Sequence, residues 1–289
     1  MKQKQQLPSD RLAIIKKMRE YEALGGEHFF CDVENDPPSR TLKPSDVDYL
    51  HRTWKFKING FLCHRAETIC KIVCKHKFDI TVKGAKNLKN ITGGAIFTSN
   101  HFSVTENLAV KLAGEKAPGH HRMYKLVREG NYFMPGIIGW LLKYCDTLPL
   151  SSSIGTMRLL DRAVKKILSN GGFILVYPEQ AMWWYYQKPR PYRIGAFYYA
   201  AQNGVPVVPC FVTIHPKKPG YDMLPDNVKY TIHVLPPIYP DSNVKPRDDA
   251  KRMMSENARL CQKKYEEVYG IKLQYQSNSD YPVKISKNY

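Results

Sequence analysis

Short apolar runs alternate with helical patterns along most of this chain, and that alternation limits the fold more than any other feature. FDITV (78–82), GGAIFTS (93–99), TLPL (147–150), FILVY (173–177), VPVVPCFVTI (205–214) and YTIHVL (230–235) have the length and composition of strands. Helical patterns lie between them, at 103–113, around WLLKY, at 154–169 and at GAFYYAAQNG. The segment 154–169 is the clearest: Ile154, Met157, Leu160, Val164 and Ile167 share one side, and Asn170-Gly171-Gly172 stops the helix. Strands that alternate with helices predict an α/β fold, a mostly parallel sheet flanked by helices.

The flanks are helical. Residues 10–24 place Leu12, Ile15, Met18, Tyr21 and Leu24 at helical spacing, and residues 55–75 read as a second, basic amphipathic helix. A Pro- and Asp-rich linker over 32–46 separates them. The expected organisation is an N-terminal helical arm over 1–75, an α/β domain over 76–270 that closes with a long helix, and a polar tail over 271–289. The longest uncharged run, Ile194 to Pro216, is interrupted by Gln202-Asn203-Gly204 and prolines. It lacks the ~20 continuous apolar residues of a spanning helix.

The chain carries 44 Lys+Arg against 26 Asp+Glu, a net charge of +18, which implies an anionic partner. Nucleic acid is the weaker candidate, because no nucleic-acid module is visible and the aromatics do not interleave with basic residues. An anionic bilayer surface, a phosphorylated substrate or an acidic carrier protein fits better. Seven irregularly spaced cysteines and a polar start, MKQKQQLPSDR, predict free thiols in a reducing, intracellular compartment. Cys63, His64, Cys70, Cys74 and His76 fall close together, but no second pair answers Cys70 and Cys74, so no metal is expected.

Two segments carry candidate chemistry. In TSNHFSVTEN a strand ends, Asn100-His101 occupy the turn, and a helix begins near Ser103. On one continuous helix His101 and Glu106 would not share a face. If His101 sits just before the helix and folds back over its first turn, Glu106 can accept from one imidazole nitrogen. The other nitrogen is then free to take a proton. Ser103 and Glu106 also read as a capping box, and both readings can hold together.

The other segment, VYPEQAMWWYYQKPRPYR (176–193), ends a strand at Tyr177-Pro178-Glu179. In a parallel sheet Glu179 falls on the same edge as His101. Trp183, Trp184, Tyr185 and Tyr186 in succession are not expected to face one core together, so some should meet solvent, a partner or lipid. Lys125, Arg128, Lys188, Arg190 and Arg193 supply cations near these elements, and arginine grips phosphate with a planar fork.

Taken in order, these segments resemble the lysophospholipid/glycerol-phosphate acyltransferases, in the 1-acyl-sn-glycerol-3-phosphate acyltransferase branch. The first motif of that family, N-H-x4-D, is NHFSVTE here, with Glu106 for Asp. The third, F-P-E-G-T-R, is YPEQAM, which keeps Pro178 and Glu179 and loses Gly, Thr and Arg. The V-P-V-x-P strand is present as VPVVP (205–209), preceded by Arg193-Ile194-Gly195-Ala196. The arginine of the second motif has no counterpart in CDTLPLSSS.

The resemblance implies O-acyl transfer from acyl-CoA or an acyl carrier protein to a lysophospholipid hydroxyl, with no other cofactor. His101 would be the general base and Glu106 its orienting carboxylate. Asn100, Ser103, Pro178 and Glu179 would shape the substrate site, and Lys125, Arg128, Arg190 or Arg193 would replace the lost phosphate contacts. The expected place of work is the cytoplasmic face of a membrane, bound peripherally. A different lysolipid or alcohol acceptor, or acyl hydrolysis, is the alternative reading. A basic lipid- or nucleic-acid-binding protein is the reading without catalysis.

Overall fold

The computed structural model describes residues 9–34, 40–218 and 227–275. In chain order the regular elements are helices α1 (Ser9–Leu24) and α2 (Trp54–Lys77), then β1 (Thr81–Lys83), β2 (Ala95–Thr98), α3 (Glu106–Gly114), β3 (Met123–Val127), α4 (Gly136–Tyr144), β4 (Thr147–Pro149), α5 (Ile154–Ser169), β5 (Phe173–Val176), α6 (Gly195–Asn203), β6 (Val207–Pro216), β7 (Val228–Val234) and α7 (Pro246–Tyr269). The strands form one seven-stranded sheet in the order β1-β7-β6-β2-β5-β3-β4. Pairing is parallel throughout except between β6 and β7, which run antiparallel. The mostly parallel α/β architecture is therefore as the alternation predicts.

The central strands are apolar on both faces because helices cover both. β2 and β5 are buried at every position. One layer contains α1, α3 and the segment after β5. The other contains α5, α6 and α7, whose Leu160, Phe197 and Met253 pack with Ile96 and Val207. Gly94 lets the chain enter β2 hard against the end of α5: a Cβ there would lie 2.2 Å from the Leu168 carbonyl oxygen. Gly204 ends α6 in the left-handed region, at φ 65°.

β3 is absent from the sequence reading. Its sequence, MYKLV, has a lysine at its centre and buries only Met123 fully, so it lacks a strand-like apolar run. The Pro/Asp-rich linker is described only in part, since 35–39 lie outside the described residues, as do 276–289 of the expected tail. The N-terminal helices are present, and α1 packs directly on the sheet. Ile15 and Met18 of α1 share a core with Phe97, Val212 and Trp183. Among the described residues, no helix is long and apolar enough to cross a membrane.

Candidate active site

The carboxyl ends of the parallel strands carry the candidate residues, as open α/β sheets favour. β2 and β5 run in register, Thr98 against Val176, so the chain leaves both strands at the same level. That brings Asn100-His101 beside Pro178-Glu179. Asn100 is buried and locks the turn to β6: its Nδ2 donates to the Val212 carbonyl at 3.0 Å, and its Oδ1 accepts from the Val212 N–H at 2.8 Å.

His101 lies before α3 and folds back onto it. Its Nδ1 is 2.5 Å from Oε1 of Glu106. Glu106 is fully buried and is the first residue of α3. The helix thus begins three residues later than expected. Thr105 occupies the N-cap without a side-chain cap bond, while Ser103 Oγ accepts from the Thr105 N–H at 3.2 Å. Glu106 is directed to His101, so the capping-box reading does not hold. With Nδ1–H donated to the carboxylate, Nε2 carries the lone pair, and the side chain keeps 22% of its surface exposed.

The imidazole also stacks on Tyr177, with centroids 4.0 Å apart and planes 14° from parallel. The Tyr177 hydroxyl and Oε2 of Glu106 are both buried, neither has a hydrogen-bond partner elsewhere among the described residues, and the phenol interacts with the Glu106 carboxylate. Burial, and then the Glu106 carboxylate, push the phenol well above the ordinary tyrosine range. The sequence named Tyr177 only as the start of a motif. Its role beside His101 emerges from the shared level of β2 and β5.

Glu179 is a buried bracket. Oε2 accepts from the His101 N–H at 3.2 Å and from Arg190 Nη2 at 2.9 Å; Oε1 accepts from the Arg190 N–H at 3.0 Å. Arg190 is itself buried. It donates to the Phe29 carbonyl at 2.8 Å and to the Ala181 carbonyl, and lies 4.6 Å over the Trp183 ring. The expectation that Arg190 replaces a phosphate contact fails, because all its reach is spent holding this turn. Lys188 is likewise buried, against Glu22 at 2.7 Å and the Gln274 carbonyl at 2.7 Å.

The aromatic block is inside the protein. Trp183, Trp184, Tyr185 and Tyr186 are all buried, contrary to the expectation that some face lipid. They achieve this because the segment is not a regular strand or helix. Gln180 and Tyr185 adopt left-handed φ values of 63° and 52°, so successive side chains are turned in several directions into one core. The strap also clamps the histidine turn: the Trp183 N–H donates to the His101 carbonyl at 3.1 Å, and the Tyr185 N–H to the Phe102 carbonyl at 2.9 Å.

The remaining cations reach the edge differently. Arg193 is tied at its N–H to the Pro178 carbonyl, 2.8 Å away, while its guanidinium pairs with exposed Glu27 and stacks 3.8 Å over Phe30. Arg128 follows β3 at the same sheet edge and pairs with Asp32. Both side chains are 41% exposed. Lys125 turns away to Glu67 of α2 at 2.9 Å. Burial pulls its pKa down, but Glu67 more than offsets this and holds it above the ordinary lysine value.

A charged network missed by the sequence reading ties α2 to the sheet. His64 lies 3.1 Å from Asp146, which also binds Arg122. Asp146, and then Glu67, raise His64 to a pKa of about 9. His64 is thereby engaged with carboxylates, not with the neighbouring cysteines. Among the described residues no group of His, Cys, Asp and Glu could hold a metal ion.

Residues 79–213 match the acyltransferase family model. The chloroplastic 1-acyl-sn-glycerol-3-phosphate acyltransferase BAT2 of Brassica napus is 27% identical over 135 residues, which are 44% of this chain and 35% of that relative. The chain thus spans about a third of the length of that relative. The crystal structure of the 1-acyl-sn-glycerophosphate (LPA) acyltransferase PlsC from Thermotoga maritima superposes with a TM-score of 0.50 at 18% identity, covering 92% of this chain and all of that one. It shares the fold. The likeness to the acyltransferase family lies in residues 79–213, which hold β1 to β5, most of β6 and the whole of the His101 edge.

Proposed function

We propose that the protein is a 1-acyl-sn-glycerol-3-phosphate O-acyltransferase that uses an acyl thioester, acyl-CoA or acyl carrier protein, as donor. The observation that carries this reading is the 2.5 Å contact between His101 Nδ1 and the buried carboxylate of Glu106, at the sheet edge inside the family-matched segment. Nε2 takes the proton of the acceptor hydroxyl, and the resulting oxygen nucleophile attacks the thioester carbonyl. The C–S bond then breaks, the ester is released, and the imidazolium returns its proton to the leaving thiolate. Glu106 holds the ring and offsets its transient charge. Glu179 and the aromatic strap hold the backbone from which the ring projects.

Arg193 and Arg128 would take the acceptor phosphate by exchanging their carboxylate partners for it, Glu27 being exposed and Asp32 half-buried, and the step costs little at Arg193 because surface ion pairs are weak. Membrane contact is assigned to α2 and the start of α4. Trp54 is 75% exposed and Phe61 58%, and Ile58, Ile69, Ile72 and Ile137 are also exposed, beside basic Lys55, Lys57 and Arg65. An apolar face edged by lysine and arginine suits an anionic bilayer surface. The deciding experiment supplies purified protein with a panel of lysolipid acceptors and both donor classes, and identifies the product by mass. Phosphatidate formed by the wild type and lost in His101→Ala supports the reading. Equal turnover by His101→Ala sinks it.

A further inference from the structure

β7 is polar on one face and apolar on the other. Val228, Tyr230, Ile232 and Val234 lie in the core, with Phe102 of the His101 turn packed edge-on against Tyr230 at 5.3 Å. Lys229, Thr231 and His233 therefore face the opposite side of the sheet. Register sets Lys83 of β1 beside His233, and Thr213 and His215 of β6 beside Thr231 and Lys229. Together they line a pocket of about 420 Å³ into which no carboxylate projects. Lys83 and Lys229 have no ion-pair partner among the described residues. His233 is nearly buried, with Nε2 3.0 Å from Thr213 Oγ1, and that hydroxyl lies 3.3 Å from the Thr231 carbonyl. If the hydroxyl donates to the carbonyl, it accepts from Nε2–H and leaves Nδ1 as the free site. Burial and then Lys264 and Lys83 lower His233 to a pKa of about 4, and His215 is lowered by burial and then Lys229. Glu267 nearby is paired with Lys264 at 2.6 Å. Two lysines without an ion-pair partner among the described residues thus stand beside two imidazoles in a concave setting, and the Glu267 carboxylate that acts on His233 from nearby is held by Lys264.

We propose that this pocket is a binding site for a phosphate-bearing anion, separated by the sheet from the acyl-transfer edge. The full chain is titrated with inorganic phosphate while the imidazole resonances of His215 and His233 are followed. Saturable shifts are expected, at least about tenfold weaker in the folded Lys83→Gln/Lys229→Gln chain and retained in Arg193→Gln. A parallel titration uses phosphatidate-containing and neutral vesicles. Shifts with free phosphate assign a soluble phosphate compound, and shifts only with phosphatidate vesicles assign a lipid headgroup. Shifts with neither, or shifts equal in the double variant, overturn the proposal.

An independent observation concerns the reacting edge, and it rests on the reading of His101 and Glu106 given above. Oε2 of Glu106 and the hydroxyl of Tyr177 are both buried with no other hydrogen-bond partner among the described residues, the Glu106 carboxylate acts on the phenol by charge and by hydrogen bonding, and the Tyr177 ring lies flat under His101. Two of the departures from the family motifs, Glu for Asp and Tyr for Phe, meet at this point. We infer that Tyr177 is a positioning residue whose hydroxyl secures the second oxygen of the longer carboxylate. Tyr177→Phe should lower kcat about tenfold, leave both KM values and the melting temperature in place, and have no further effect in a Glu106→Asp chain. Unchanged kcat, or an equal fall in both backgrounds, overturns the inference. Turnover that survives His101→Ala would instead remove the reading on which it rests.

Discussion

Oε2 of Glu179 accepts the His101 N–H at 3.2 Å and the Arg190 Nη2 at 2.9 Å, so one buried carboxylate joins the histidine turn to the aromatic strap. Arg190 is buried as well. Glu179→Gln should cost about 3–5 kcal/mol, the usual penalty for stranding a buried charge. Urea unfolding measures it. A loss under about 1 kcal/mol would show that the pair is not buried as described.

Glu106→Gln keeps the side chain's size and removes the charge that balances the imidazolium. Turnover should fall by about 10²–10⁴, the worth of a working general base, with the fold retained. Steady-state kinetics beside circular dichroism test this. Activity within about twofold of wild type would show that the Glu106 charge does not support His101.

Arg193→Gln and Arg128→Gln should raise the acceptor KM by about tenfold each and leave kcat nearly unchanged, as expected when ground-state and transition-state binding weaken together. A lysolipid lacking the phosphomonoester should not feel either change. If the KM for both acceptors rises alike, neither arginine reads the phosphate.

His64 has a folded pKa of about 9 against an ordinary value of 6.5. A raised folded value means the protonated ring is stabilised by folding. That contribution is complete below about pH 6.5 and disappears as pH rises through about 9. Its side chain is 33% exposed, so screening reduces the effect to about 1–2 kcal/mol. Thermal melts from pH 6 to 9.5 should show the decline in wild type and a flatter profile in His64→Gln. Superimposable profiles would remove His64 from the α2 network.

The burial pattern of the tryptophans makes a spectroscopic prediction. Trp54 is 75% exposed, whereas Trp183 is fully buried. Anionic vesicles should shift emission to the blue in wild type and in Trp183→Phe, and the shift should vanish in Trp54→Phe. A shift that survives Trp54→Phe would relocate the membrane face.

Much of the fold is written in local sequence. Continuous apolar runs mark β2, β5 and β6, and period-3.6 patterns mark α5 and α7, because strands buried on both faces must be continuously apolar and covering helices must carry a stripe. β3 escaped because its central Lys125 is neutralised by Glu67, 58 residues earlier in the chain, a partner that no local window contains. The segment after β5 misled for a related reason. Consecutive aromatics on a regular element cannot share one core, but two left-handed residues turn the chain so that they do. The sequence determined which residue types stand at the strand ends: His101, Glu106, Glu179 and a supply of arginines. Only the tertiary structure decided their duties. Parallel register puts His101 and Glu179 at one level, burial commits Arg190 to Glu179, and exposure leaves Arg128 and Arg193 at the surface. A charge inside the protein must be matched by its neighbours, and neighbours are set by packing.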